Sequence, residues 1–281
     1  MKHRVQPPTR DEIRARQAAF FTGKKRLRKR AARKPYPRGE ELLFRAEMRK
    51  LLAPLLEYVR KEFLPEVSRL TDERGPVFRK DAVQDDLDAI FLRLRTLSGR
   101  VLDRARVGET LRKVATSISR KNLIDTNSQL KSTLGIEVFS DRATQQQVEL
   151  FVASNVGLVE SVEDDMINRL RRSVYRNAMR GGRIEDLSDE IKRTIGVTES
   201  KADFLARDQT AKLNGELTEL RQRSVGVSKY IWSTSLDERV RQEHADREGE
   251  VFDWDSPPEG GHPGEDYNCR CVAIPVFDGE E

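Results

Sequence analysis

The chain has 281 residues, of which 37% are hydrophobic, 6% aromatic and 35% charged. This length allows one large domain or two modest ones, and the apolar fraction is low but sufficient for a buried core. No run of about 18 apolar residues occurs, and the first residues lack the apolar stretch of a signal peptide. We therefore expect neither a membrane span nor secretion.

The net charge of +5 hides an asymmetry along the chain. Residues 1–38 carry 14 Lys and Arg against two acids, a net charge of +12, which leaves −7 for the rest of the chain. From Ser235 onward, 14 acids stand against four arginines. Only the basic end of this molecule favours contact with a polyanion.

The basic end is a segment, residues 1–39, that contains four prolines and has little to bury. Because its like charges repel one another, we expect a flexible or transiently helical arm. Its cations could neutralise phosphates of DNA or RNA and release counterions, or the arm could be a solvated tail without a nucleic-acid role. The candidate DNA-binding residues are Lys24, Lys25, Arg26, Arg28, Lys29, Arg30, Arg33 and Lys34.

Apolar residues at helical spacing predict three helices after the arm. The first covers residues 40–67 and should be kinked by Pro54. The second covers residues 81–97, and the third covers residues 101–130 and is followed by Gly135 as a C-terminal cap. We expect these apolar stripes to pack helix against helix.

Three more helices follow. The first has an apolar stripe and ends at Gly181, the next covers residues 184–196 and is closed by Gly196, and the last covers residues 199–223. The stripe of the first consists of Val159, Val162, Met166, Leu170 and Val174.

Aromatic and β-branched residues at 229–233 then predict a strand. The fold class that follows is α+β, with a mainly α-helical elongated body and a small mixed α/β cap at the C-terminus. The predicted regions are the arm (1–39), an N-terminal helical region (40–134), a central helical region (135–226) and the cap (227–281).

The rarest side chains are concentrated in the cap. Both tryptophans, both cysteines and two of the three histidines lie between Tyr230 and the C-terminal residue. Residues 237–241 have the acid-rich first turn of a short helix that should end near His244. If residues 268–275 form a strand, Cys269 and Cys271 project from the same face. Cysteines this close cannot join distant segments, which favours a reducing cytoplasm.

This arrangement suggests a zinc site. His244, His262, Cys269 and Cys271 are ligand types suited to tetrahedral Zn²⁺. The cap has few apolar residues, and a structural zinc stabilises small sites by about 10–16 kcal/mol. In the alternative interpretation the cysteines are packing residues and His244 hydrogen-bonds to Asp237 or a carbonyl group. Trp232 and Phe252 belong to the core of the cap in either case.

An enzymatic role for the cap has weaker support. Asp237 could orient His244 as a general base. No nucleophile motif, phosphate-binding loop, dinucleotide fingerprint or paired-acid metal site accompanies them. Arg239 and Arg241 are expected to form ion pairs that fix the turn at Asp237, and Arg207 could act in the same way with its neighbour Asp208. We therefore expect that this chain is not an enzyme.

Five features in a fixed order carry a family resemblance. They are Arg207-Asp-Gln-Thr, Tyr230-x-Trp232, Asp237-Glu-Arg239, His244 and Cys269-x-Cys271. In this order they resemble the phage Mu protein F-like head morphogenesis family, the minor head proteins of tailed bacteriophages, over roughly residues 135–277. The family often has His or Pro directly before the Cys-Arg-Cys, whereas six residues separate His262 from Cys269 here.

The resemblance implies a minor capsid protein of a tailed phage or prophage, present in few copies. It implies association with the portal protein, other head proteins and packaged phage DNA, with an influence on packaging or ejection. It places the protein in the virion, in the capsid interior or near the portal, and in the host cytoplasm during assembly, without membrane contact. The alternatives are a metal-dependent nuclease or other zinc enzyme, and a nucleic-acid-binding protein of the host.

Overall fold

The computed structural model describes residues 31–72, 80–135, 137–138, 142–180 and 183–277. The predicted fold class is confirmed in its main feature, because the described chain is mainly helical with a small α/β cap near its C-terminus. The helices are α1 (Arg38–Tyr58), α2 (Leu64–Asp72), α3 (Lys80–Val101), α4 (Arg104–Leu134), α5 (Arg142–Arg180), α6 (Ile184–Ser224) and α7 (Gln242–Ala245). The strands are β1 (Lys229–Ser233), β2 (Val251–Asp253) and β3 (Val272–Val276).

The described residues form two compact units. The first contains the described residues up to Leu42, the segment Arg112–Phe151 and the described residues from Arg207 onward. The second contains Leu43–Leu111 and Val152–Ala206. None of the described helices combines the length and the apolar composition that a membrane span needs. The division into four consecutive regions along the chain stays a prediction.

The core of the second unit is built from the predicted apolar stripes. The ring of Phe91 meets the edge of Phe63 at a centroid distance of 5.2 Å and stacks with Tyr175 at 6.2 Å. Each fully buried large apolar side chain contributes roughly 1.5–3 kcal/mol to folding, so these stripes supply much of the unit's stability. The predicted stripe positions of α5 are all buried: Val159, Val162, Met166, Leu170 and Val174.

Pro54 lies inside α1 and does not end it. The backbone departs from α-helical geometry farther along, where Val59–Phe63 forms a π-helical turn that joins α1 to α2. Val59 and Phe63 are both buried in this turn, so the change of geometry leaves the apolar face of the segment in the core. The prediction for residues 40–67 was a helix kinked by Pro54, whereas the change of helix type lies at Val59–Phe63.

The predicted helix end at Gly196 is wrong. Helix α6 continues through this residue for 41 residues in all. Gly196 is exposed, while Ile195 and Thr198 on either side of it are buried. Burial of these neighbours outweighs the helix propensity of one glycine, a penalty of about 1 kcal/mol. Gly135, by contrast, caps α4 as predicted, with φ of 66° and an N–H that donates to the Lys131 carbonyl.

The cap contains a three-stranded antiparallel sheet in the order β2-β1-β3. Lys229 pairs with Asp253 on one side of β1 and with Val276 on the other. The predicted strand at residues 229–233 is thus confirmed and lies at the centre of the sheet. The side chains that make up its core cluster are aromatic or small: Tyr230, Trp232, Trp254, Cys269, Cys271 and Ala273.

Two local predictions for the cap place the start of an element too early, although the predicted helix does end near His244. The helix expected from residue 237 is only the four-residue α7, because the Asp237 carboxylate accepts the N–H of Arg239 and holds a turn instead. The strand expected at residues 268–275 begins at Val272. Asn268 has φ of 58°, and the Cys269 N–H donates to the Asp266 carbonyl, so these residues form a turn before β3.

A loop of the cap approaches the backbone of α6 very closely. A Cβ added at Gly215 would lie 2.6 Å from the Pro263 carbonyl oxygen. A Cβ added at Gly264 would lie 2.6 Å from the Ala211 carbonyl oxygen, and its φ of 98° also favours glycine. Glycine is required at both positions because backbone meets backbone there and neither side can yield as a flexible side chain would.

We predict that Gly215→Ala lowers the free energy of unfolding by about 1–3 kcal/mol, since the added methyl group overpacks the contact with Pro263. Urea unfolding followed by tryptophan fluorescence is the measurement, because both tryptophans lie in the cap.

Gly196→Ala is the matched control, because Gly196 lies in the same helix and an added Cβ there has no atom within 4 Å. This variant should gain roughly 0.4–1 kcal/mol in stability from the better helix former. Equal gains for both variants would contradict the close approach of the loop to α6.

Candidate functional site

Three buried side chains meet at one point of the cap. His244, Cys269 and Cys271 are each less than a tenth exposed, and their ligand atoms lie within 4.8 Å of one another. His244 Nδ1 is 3.5 Å from each of the two sulfur atoms. An imidazole nitrogen between two thiols is a donor set that suits a soft or borderline divalent metal. The structure therefore brings together three of the four predicted metal ligands.

Short turns place these ligands. His244 lies on α7, and its ring meets the edge of the Trp232 ring on β1 at a centroid distance of 5.3 Å. The backbone N–H of Cys271 points to the Cys269 sulfur at 3.4 Å. Because a turn closed by Asp266 and Cys269 precedes β3, which begins at Val272, both thiols reach the imidazole without being part of the sheet.

A carboxylate orients the imidazole from its other edge. His244 Nε2 is 3.1 Å from Asp266 Oδ2, and Asp266 is also held by the Arg241 guanidinium. A hydrogen bond to the carboxylate assigns the Nε2 proton and leaves Nδ1 directed at the sulfurs. This pairing differs from the predicted hydrogen bond of His244 with Asp237 or a carbonyl group.

The electrostatics of the site favour one thiolate. The hydrogen bond from Cys271, opposed by burial and aided by His244, lowers the pKa of the Cys269 thiol. The same hydrogen bond raises the pKa of the Cys271 thiol, and burial raises it further. The hydrogen bond with Cys269 also raises the pKa of His244. These directions favour ionisation of Cys269 over ionisation of Cys271, and the thiolate is the form of cysteine that binds metals.

His262 lies in another part of the cap. Its Nδ1 is 2.9 Å from the Tyr230 hydroxyl, and its ring packs against Trp254 at a centroid distance of 4.8 Å. Within the described residues, the group around His244 does not include it. His262, which six residues separate from Cys269 in the sequence, thus also lies apart from His244, Cys269 and Cys271 in the structure.

The comparison with protein families covers this whole site. Residues 168–274 match the family described as Phage Mu protein F like protein. The resemblance stated from the five sequence features is confirmed, over a shorter range than the expected residues 135–277. We call residues 168–274 the Mu F-like region.

Two curated relatives extend the comparison. The chain is 38% identical over 169 residues to an uncharacterized protein of Haemophilus influenzae, covering 60% of this chain and 36% of that protein. It is 25% identical over 154 residues to the minor head protein GP7 of Bacillus phage SPP1, covering 50% of this chain and 49% of that protein. The chain thus spans less than half the length of either relative. No solved structure matches it significantly.

The structure places the motif residues of the Mu F-like region around the site. Trp232 is fully buried beneath His244. Asp237 forms an ion pair with Arg270 at 2.7 Å. Arg270 lies between the two cysteines, and this ion pair stabilises the turn at Asp237. This differs from the network expected of Arg239 and Arg241, although the N–H of Arg239 does donate to Asp237.

The Arg207-Asp-Gln-Thr motif supplies an anchor that the sequence analysis missed. The carboxylate of Asp208 is buried, accepts the backbone N–H of Asn268 at 2.8 Å and pairs with Lys212 at 2.8 Å. Arg207 reaches the side-chain oxygen of Asn268 at 3.4 Å. The motif therefore ties α6 to the residue directly before Cys269. The sequence does show Asp208 as an acid among the apolar residues of its helix, which is a signal of a buried polar contact. It does not show the partner, because Asn268 lies 60 residues away.

The predicted DNA-binding residues are only partly described. Lys24 to Arg30 lie outside the described residues. Arg33 donates to the Thr234 carbonyl at 2.5 Å, and Lys34 donates to the Ser128 hydroxyl at 2.8 Å. Ala31 is buried in a cluster with Val225 and Phe277. The last part of the predicted arm, residues 31–39, is therefore packed within the first unit and is not a flexible tail.

We predict that Asp208→Ala lowers the free energy of unfolding by about 1–3 kcal/mol, because it leaves the Asn268 N–H without its buried acceptor. Hydrogen exchange should rise selectively at residues 266–271. Asp189→Ala is the control, since Asp189 lies on the same helix in an exposed pair with Lys192 and should cost less than about 0.5 kcal/mol. Unchanged exchange at residues 266–271 in Asp208→Ala would contradict the anchoring role.

Proposed function

We propose that this chain is a minor head protein of a tailed bacteriophage or prophage that acts in head morphogenesis. The match of residues 168–274 to the phage Mu protein F-like family carries this proposal. The relative in Bacillus phage SPP1 that is named a minor head protein supports it independently. The chain covers 49% of the length of that relative, so we propose the role on the strength of the matched residues.

We propose that the role is structural and that the protein works by binding other head components, the portal protein among them. His244 is 4% exposed and its ring is engaged on both edges, which suits a fixed structural element more than a general base that must reach a substrate. Asp237 is engaged by Arg270 and does not orient His244. These contacts favour the structural role over a nuclease acting through His244.

We further propose that the basic N-terminal segment contacts packaged DNA without sequence specificity. Residues 1–38 have a net charge of +12, whereas the segment from Ser235 onward has a net charge of −10. Phosphate contacts by Lys and Arg depend on charge and release counterions. This uneven distribution of charge along the chain attracts DNA to the N-terminal segment and repels it from the acidic cap.

The proposed role predicts that the protein is a component of virus particles. Mass spectrometry of particles purified after induction should detect it at a few copies per particle. An immobilised portal protein of the same phage should retain the full chain in a pull-down, and an unrelated basic protein of similar size serves as the control. Absence from particles together with no retention by the portal protein would refute the role.

The DNA proposal predicts a steep salt dependence of binding to duplex DNA, with a log–log slope of ~0.9 for each phosphate contacted. Deleting residues 1–30 should flatten this slope and remove most of the affinity. The deletion stops at residue 30 because Ala31 and Pro37 are buried and their loss would disturb the first unit.

A variant with six exposed helical cations neutralised is the control for charge alone. It changes Arg69, Arg100, Arg120, Arg142, Arg172 and Arg180 to Gln. This variant should keep most of the affinity and slope. A loss in the control equal to that of the deletion would assign DNA binding to general charge and not to the N-terminal segment.

A further inference from the structure

The spacing of the three donor atoms in the cap matches the edges of a metal coordination shell. Tetrahedral Zn²⁺ with Zn–S of about 2.3 Å and Zn–N of about 2.0–2.1 Å holds nitrogen and sulfur about 3.5 Å apart. His244 Nδ1 lies 3.5 Å from the sulfur of Cys269 and 3.5 Å from that of Cys271. A hydrogen bond accounts for only one of these two contacts, because an imidazole with its proton on Nε2 has a single lone pair on Nδ1.

The groups around the donors are those expected behind metal ligands. Metal-binding histidines commonly give their second ring nitrogen to a carboxylate, and Asp266 Oδ2 takes this place 3.1 Å from His244 Nε2. The indole Nε1 of Trp232 is buried and has no oxygen or nitrogen acceptor within the described residues. Trp232 packs in the same core cluster as both cysteines and interacts with the Cys271 sulfur, which is the acceptor available to this buried donor.

We propose that His244 Nδ1, Cys269 Sγ and Cys271 Sγ bind one Zn²⁺, with Asp266 as the residue that orients His244. Soft thiolates with one imidazole select Zn²⁺ over Mg²⁺ or Ca²⁺, which prefer oxygen ligands. Asp266 contacts the opposite edge of the imidazole ring, so it positions the ligand and does not share the ion. Within the described residues the group contains no fourth His, Cys, Asp or Glu.

The ion closes the cap. It joins α7 to the segment that leads into β3. The polypeptide between them, residues 246–265, includes four glycines and three prolines and buries few apolar side chains. A metal cross-link would fix both ends of this segment, in addition to the backbone contact of residues 263–264 with α6.

The test uses the full chain purified with a phosphine reductant and without added metal. Elemental analysis should give about one equivalent of zinc per chain. Chelation should then raise hydrogen exchange at residues 236–275 and leave α5 unchanged. After zinc is replaced by Co²⁺, a sulfur-to-cobalt charge-transfer band must arise from these residues, because the chain has no other cysteine.

Variants separate the ligands from their neighbours. Cys269→Ser and Cys271→Ser should each remove the bound zinc, whereas His262→Ala should keep one equivalent, since His262 hydrogen-bonds to Tyr230 outside the group. Asp266→Asn should keep the cobalt band and weaken zinc affinity about 10–100-fold, the usual effect of losing such a carboxylate.

Three results would overturn the proposal. One is wild-type protein without zinc that also gives no charge-transfer band with Co²⁺. The second is bound zinc that survives substitution of both cysteines, which would place the ion elsewhere. The third is loss of zinc in His262→Ala when that variant keeps its helical content and tryptophan fluorescence, since His262 would then be a ligand.

Discussion

The close approach of the cap loop to α6 decides where the functional side chains lie. Backbone atoms of residues 263–264 rest directly on Ala211 and Gly215, with no side chain between them. One helical turn before this contact, Asp208 accepts the N–H of Asn268. The loop is therefore fixed by a steric contact and by a buried charge-assisted hydrogen bond, and Cys269 follows immediately. A small shift of this loop would move both sulfurs away from His244.

Buried polar side chains hold the small core of the cap together. Gln222 at the end of α6 donates to the Ala273 carbonyl on β3 and accepts the indole N–H of Trp254. His262 and Tyr230 satisfy each other's polar atoms in the same core. Such groups stabilise only when their hydrogen bonds are made, so they require one arrangement of the sheet against the helix. Because the apolar surface of the cap is limited, this hydrogen-bond network is what favours one packing of the sheet on α6 over others.

The match to the phage Mu protein F-like family and the geometry of the cap concern the same residues. The matched range, residues 168–274, includes the anchor Asp208, all strands of the sheet except the last two residues of β3, and the three converging ligand atoms. The basic N-terminal segment lies outside that range. Recognition of other head components and contact with DNA are thus proposed for separate parts of the chain.

The sequence determined the helical stripes, the strand at residues 229–233 and the collection of rare side chains in the cap, because repeat spacing and residue type are local properties. The tertiary structure decided that α6 continues through Gly196, since burial of Ile195 and Thr198 outweighs glycine's low propensity. It also paired His244 with Asp266 and Asp208 with Asn268. The residues of these two pairs lie 22 and 60 residues apart in the sequence. They meet only because the chain folds back on itself, and no local sequence pattern encodes that path.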